Sequence, residues 1–190
     1  MHEARPRAGG RAVSAIVLTV GHSTRALDEL VELLKRNQVK LLVDVRSQPG
    51  SRRMPHFAKG ELELSLPERG IAYEHMSELG GLRKARPDSI NTAWRHTGFR
   101  GYADYMQEDS FWHALAMLEQ RAGERRTAIM CAEALPWRCH RSLTSDALTV
   151  RGVEVRHITG MGTPSLHAIS PFALVENGRI SYPAADTLPL

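Results

Sequence analysis

Cysteine is nearly missing from this chain: two residues in 190, too few for a disulfide-built scaffold. Nowhere do apolar residues run for the ~20 positions that a membrane helix needs. Lysine is scarce too, with four against 21 arginines. No internal repeat, low-complexity tract or linker-like stretch breaks the chain. What is present is an ordinary globular mixture, 42% apolar and 24% charged, with both signs interspersed, which excludes wholesale disorder. The length suits one sizeable core and is short for two domains of ~100–200 residues each. The net charge of +4 is mildly basic and permits an anionic partner.

Arg5, Arg7 and Arg11 precede the apolar run 12–20, the order found in a secretory leader. The run is short and no small-x-small site follows it. Residues 16–20, Ile-Val-Leu-Thr-Val, therefore read as a buried strand. Residues 1–14 are expected to form a flexible basic arm, followed by a single domain over 15–190. No membrane association is expected, and a cytoplasmic location with reduced thiols follows.

Two hydrophobic periods alternate along the chain. Short apolar runs predict strands over 16–20, 41–45, 71–73, 128–130 and 153–157. Helical spacing predicts helices over 26–37, 61–68, 102–107, 111–121 and 140–150. Ser23 or Thr24 is expected to cap the first helix, whose opening turn Asp28 and Glu29 favour. Pro67 should disturb the end of the second. Asn177-Gly178 predicts a small C-terminal hairpin over 175–182. The alternation predicts an α/β domain of three layers, a mostly parallel sheet flanked by helices. Residues 82–99 are expected to be a long loop.

Ligands in open parallel sheets sit beyond the carboxyl ends of the strands, so the residues that follow each strand matter most. They are Gly21-His22-Ser23, Asp44-Val45-Arg46, Glu74-His75, Cys131-Ala132-Glu133 and His157-Ile158-Thr159. His22 and Ser23 precede a helix N-terminus, a place suited to an anion. Asp44 interrupts an apolar strand and needs a partner, which Arg46 can supply. The densest stretch runs from Cys131 to Arg141. Arg138, Cys139, His140 and Arg141 surround another helix N-terminus, an anion cradle that would also lower a thiol pKa. Asp44, Glu133, Cys131 and His22 are the candidate catalytic groups, and Ser23, Arg46, Arg138, Cys139, His140 and Arg141 the candidate anion ligands. No cofactor is expected. Cys131, Cys139 and His140 offer soft metal ligands, although their spacing matches no strong zinc pattern.

Two loops are basic and carry aromatics among their charges: Arg52, Arg53, Phe57 and Lys59 in one, and Arg83, Lys84, Arg86, Trp94, Arg95 and Arg100 in the other. That mixture suits phosphate contact with base stacking. A solvated arginine face with the aromatics folded inward is the plain alternative.

Gly21-His22-Ser23, Asp44-Val45-Arg46, Leu79-Gly80-Gly81, Phe99-Arg100-Gly101-Tyr102, and Cys131-Ala132-Glu133 with Cys139-His140-Arg141 together resemble the bacterial and archaeal domain-of-unknown-function 488 family. The resemblance runs from about residue 20 to 157, with Arg25 and Gly50 departing from it. It implies the α/β fold and marks the polar cluster as the site. It supplies no reaction.

Three functions suit these residues. One is a site for a phosphate-bearing substrate, a nucleotide or nucleic acid, with acid–base chemistry of a hydrolase or transferase. Another is a cysteine-thiolate enzyme of rhodanese-like or cysteine-phosphatase-like type, with Cys131 as nucleophile. Six residues separate Cys131 from Arg138, more than such loops usually hold. The third is a non-catalytic nucleic-acid-binding module.

Overall fold

The structure, a computed structural model, describes residues 15–50 and 53–184. The expected basic arm at 1–14 and Arg52 lie outside them. Strands β1 (Ile16–Gly21), β2 (Leu41–Asp44), β3 (Ala72–His75), β4 (Thr127–Cys131) and β5 (Glu154–Ile158) pair in parallel, and β6 (Ser165–Leu166) adds antiparallel to β5. Their order across the sheet is β3-β2-β4-β1-β5-β6. Helices α1 (Leu27–Arg36) and α2 (Lys59–Glu68) cover one face, and α3 (Thr97–Tyr105), α4 (Asp109–Glu124) and α5 (Arg141–Val150) the other. Two antiparallel strands, β7 (Leu174–Glu176) and β8 (Arg179–Ser181), form the separate hairpin. The expected α/β architecture is what the chain adopts.

Period-two alternation divides each strand between the layers. Leu18, Val20, Leu42, Ala128 and Met130 pack under α1 and α2 with Leu30, Leu34, Leu62 and Leu66. Val17, Val43, Ile129 and Val155 pack under α3–α5 with Phe111, Leu115, Leu143 and Leu148. Strands buried on both faces read as continuous apolar runs, which is why they were visible. At the hairpin, Asn177 and Gly178 both take positive φ, 51° and 74°, the backbone that a two-residue type I′ loop requires.

Several local expectations are corrected. Neither Ser23 nor Thr24 caps α1; Ala26 is the N-cap, without a side-chain bond. Helix α3 opens at Thr97, inside the expected loop, with the His96 ring accepting from the Gly98 N–H at 3.2 Å. Helix α2 runs through Pro67, which sits in its last turn where only one intrahelical bond is lost. Residues 82–96 do form a loop, but a pinned one. Buried Asp104 accepts from the Arg86 N–H, the Ser89 hydroxyl and the Asn91 amide, and Asn91 in turn accepts from the Tyr182 N–H.

A directed polar chain crosses the layer beneath α5. Thr19 donates to His157 Nδ1 (2.7 Å), His157 Nε2 to His167 Nδ1 (2.9 Å), and His167 Nε2 to Asp146 Oδ1 (2.7 Å). Ser170 and Tyr182 hydroxyls donate to Asp146 Oδ2. Asp146 has no solvent exposure, so this saturation is what makes a carboxylate tolerable there. Among the described residues no helix is long and apolar enough to cross a membrane.

Candidate functional site

Chain direction creates the site. β2 leads to β3 through α2 on one face, and β4 leads to β5 through α5 on the other. Their exits diverge and leave a crevice beyond adjacent carboxyl ends, the switch point where such sheets bind ligands. A cavity of about 670 Å³ lies there. Its walls include Ser23, Arg46, Gln48, Glu133 and Arg138, with Cys131, Cys139 and His140 grouped on one side. Of the groups expected at this edge, Ser23, Arg46, Cys131, Glu133, Arg138, Cys139 and His140 line the cavity, whereas Glu74, His75 and His157 are not among its walls.

Arg46 is the best-held side chain in the cleft. Its Nε–H donates to Asp44 Oδ1 at 2.8 Å, and its Nη2 donates to Asp44 Oδ2 at 2.5 Å and to the Phe57 carbonyl at 2.7 Å. The Tyr73 hydroxyl donates to Asp44 Oδ2 at 2.8 Å, and burial together with Asp44 pushes the Tyr73 pKa up, keeping its proton. Arg46 Nη1 lies 3.2 Å from His22 Nε2, while His22 Nδ1 lies 2.9 Å from the Ser23 carbonyl. These contacts set the tautomer: Nδ1–H donates to Ser23 and Nε2 accepts from Arg46. Burial, reinforced by the Arg46 charge, lowers the His22 pKa to about 4, so the imidazole is neutral near pH 7. Asp44 and His22 thus form a frame around one guanidinium. Asp44 is fully buried with both oxygens occupied, which places it as a holder of Arg46 away from the cavity wall.

The opposite wall is the loop from Cys131 to Cys139. His22 and Ser23 zip it to the end of β1: the His22 N–H donates to the Cys131 carbonyl and the Ser23 N–H to that of Ala132, at 3.0 and 2.9 Å. Ser23 takes φ 50° to do so, a region uncommon for a residue with a side chain. Arg141 is 1% exposed. It donates to the Glu133 carbonyl and, through Nε at 3.4 Å, to Cys139 Sγ. Arg141 therefore holds the loop from behind and does not line the cavity, unlike the expected cradle, whereas Arg138 is exposed on its wall. His140 Nδ1 lies 3.5 Å from Cys139 Sγ and Nε2 lies 3.1 Å from the Val45 carbonyl.

Both cysteines are free. They share protons unequally. Cys139 is held towards the thiolate, first by the Cys131 thiol and then by His140 and Arg141; accepting that role as donor, and burial, push Cys131 up. The expected reading instead gives the nucleophile's role to Cys131. Glu133 is exposed at the rim, with Oε1 3.4 Å from the Leu135 N–H.

The glycine-bearing motifs act as struts. A Cβ at Gly81 would strike the His140 ring, and one at Gly21 would strike the Glu133 carbonyl. Tyr102 donates to the Leu79 carbonyl at 3.0 Å and stands 5.0 Å from the His140 ring, bracing it from the other side. Gly81→Ala is expected to leave the fold intact, to destabilise by ~1–3 kcal/mol through overpacking, and to move the His140 ring resonances. Unchanged stability and resonances would mean that the ring has slack.

The basic loops are less free than their composition suggests. Arg83 donates to the Gly80 and Glu78 carbonyls and stacks on Tyr105 at 3.6 Å. Arg86 pairs with Asp88, and Arg100 donates to the Trp94 carbonyl. Trp94 packs with Phe99, Phe172 and Tyr182. Arg53, Lys84 and Arg95 are exposed. Sequence reasoning missed Tyr73, Ser47 and Gln48, and the Asp146–His167–His157 chain. Of that chain, only His157 stood out in the sequence, as a polar residue at a strand end.

A family model described as Domain of unknown function DUF488 matches residues 26–148. No curated protein and no solved structure matches the chain.

Proposed function

The chain belongs to the domain-of-unknown-function 488 family, whose description names no reaction, and from the cleft itself we propose an enzyme acting on a phosphate-bearing substrate of nucleotide size. The reaction class is hydrolysis or group transfer. The observation that carries this reading is the immobilised Arg46 guanidinium on the wall of a cavity of about 670 Å³, a volume typical of small-ligand sites. With four of its five N–H donors fixed by Asp44, Phe57 and His22, Arg46 offers the remaining Nη1–H and a positive charge held in place to a phosphate oxygen, without losing rotamer freedom. Arg138 supplies the second cation, Ser23 and Gln48 supply hydrogen bonds, and Glu133 at the rim is the acid–base group. A small ligand fits better than a polymer track, because Arg83, Arg86 and Arg100 already have protein partners and Trp94 is packed among aromatics.

Calorimetric titration with mononucleotides, alongside anisotropy with labelled single-stranded DNA, duplex DNA and RNA, tests the proposal. Mononucleotides should bind, and Arg138→Ala should weaken them ~10–100-fold, the worth of one charge-assisted contact. Glu133→Gln should bind equally and lose turnover followed by phosphorus NMR. Binding only by long polymers, unaffected by Arg138→Ala, would instead favour the non-catalytic nucleic-acid module.

The cysteine-thiolate reading has one observation in its favour, the bias of Cys139 towards thiolate. Yet Cys139 is 5% exposed, while the more open Cys131 holds its proton. The reactive form and the accessible sulfur belong to different residues.

A further inference from the structure

Two sulfurs and an imidazole that do not suit a nucleophile suit another role. The Cys131 and Cys139 sulfurs and a ring nitrogen of His140 all lie within 4.8 Å of one another. Tetrahedral zinc with ordinary Zn–S and Zn–N bonds sets its ligand atoms ~3.5–3.8 Å apart. The Cys139 Sγ to His140 Nδ1 separation, 3.5 Å, already has that value. We propose that Cys131, Cys139 and His140 bind a zinc ion whose fourth position opens into the cleft.

Three further features support the site. First, the supporting contacts are those that ligands need. His140 Nε2–H donates to the Val45 carbonyl, leaving the Nδ1 lone pair facing the sulfurs, the usual way a backbone oxygen sets a metal-binding tautomer. Arg141 Nε–H donates to Cys139 Sγ, offsetting part of the charge of a bound thiolate. Second, all three ligands line the cavity. Three protein ligands with an open fourth place make the arrangement of a catalytic site, whereas structural zinc is closed by four. Third, the ligand chemistry selects the metal: two thiolates and an imidazole fit zinc far better than the oxygen-seeking magnesium or calcium. In the cleft, zinc would act as a Lewis acid towards an oxygen of the substrate or of water, with Glu133 on the same wall. Ligation takes both cysteines as thiolates, so binding releases thiol protons and is favoured by rising pH.

This inference uses the cleft but not the identity of its ligand. The test is cobalt(II) added alone to the full chain after chelator treatment, followed in the near-ultraviolet and visible. The expected result is one cobalt per chain, a thiolate-to-cobalt charge-transfer band, tetrahedral d–d bands, and displacement by one equivalent of zinc. Cys139→Ser should weaken binding by more than the ~10–100-fold of an outer-shell change. Trp137→Ala, an exposed residue of the same loop, should bind as wild type. Circular dichroism of each metal-free variant separates ligand loss from unfolding. If Cys139→Ser does not fold, Cys131→Ser at the half-buried position makes the same measurement. A folded wild type without the charge-transfer band, or a cysteine variant that keeps both its full intensity and the wild-type affinity, overturns the proposal. A chain that binds cobalt but no mononucleotide keeps the metal site and loses the substrate reading.

Discussion

Asp44→Ala is expected to lose ~3–5 kcal/mol of stability, the range seen when one partner of a buried ion pair is removed. The loss has an identifiable origin. Arg46 is 7% exposed, and the variant would leave its guanidinium with neutral His22 and the Phe57 carbonyl in place of a full opposite charge. Tyr73 would lose its acceptor as well. Tyr73→Phe, which removes one neutral donor and leaves the ion pair, should cost only ~1 kcal/mol. Urea denaturation of the two variants beside wild type makes the comparison. Equal effects would show that the pair contributes no more than a single hydrogen bond. Asp44→Asn, which keeps the shape but not the charge, should resemble alanine more than wild type and should also lose mononucleotide binding.

Acidification from about pH 7 to about pH 4 should erode stability well before the whole structure fails, and two histidines carry the effect. Burial, with Arg46 at one and His167 at the other, lowers His22 and His157 from 6.5 to about 4. Between those values the unfolded chain binds protons that the folded chain refuses, so stability falls as pH falls. The contribution is complete above 6.5 and gone below about 4. Each imidazole is worth up to ~3 kcal/mol, with little solvent screening, since they are 3% and 8% exposed. Urea midpoints across this window should slope downward towards acid. His22→Asn should flatten the slope by about one proton. A profile that stays level to about pH 5 would contradict the account.

Much of the site was legible because one rule covers it. Polar residues that end apolar runs mark the carboxyl edge of a parallel sheet, and His22, Asp44, Cys131 and Glu133 all stand at such ends. Less legible was which of them faces the cavity. Arg141 and Arg138 look alike in sequence, yet one points back to the Glu133 carbonyl and the other lines the cleft. An arginine satisfied by backbone oxygens leaves no trace in residue order. The same blindness made the arginine loops look free. The start of helix α3, expected only from 102, was hidden for another reason: Gly98 and Gly101 carry poor helix propensity, and Gly101 is required where the chain packs against residues 83–85. Strand β6, two residues long, has too few positions to show a period.

The strand order has a consequence for how the molecule is made. β4 lies between β1 and β2, yet it is encoded more than 80 residues after β2. Until it arrives, β1 and β2 have no bond to each other, and each offers an unpaired backbone edge to whatever is near. During synthesis the first half of the chain therefore holds β1 without a strand partner beside an open β2–β3 pair, vulnerable to wrong pairing and slow to resolve. The residue that completes β4, Cys131, is also the first of the cleft's sulfurs. The joining of β1 to β2 and the bringing together of the cleft's two walls are thus a single late event.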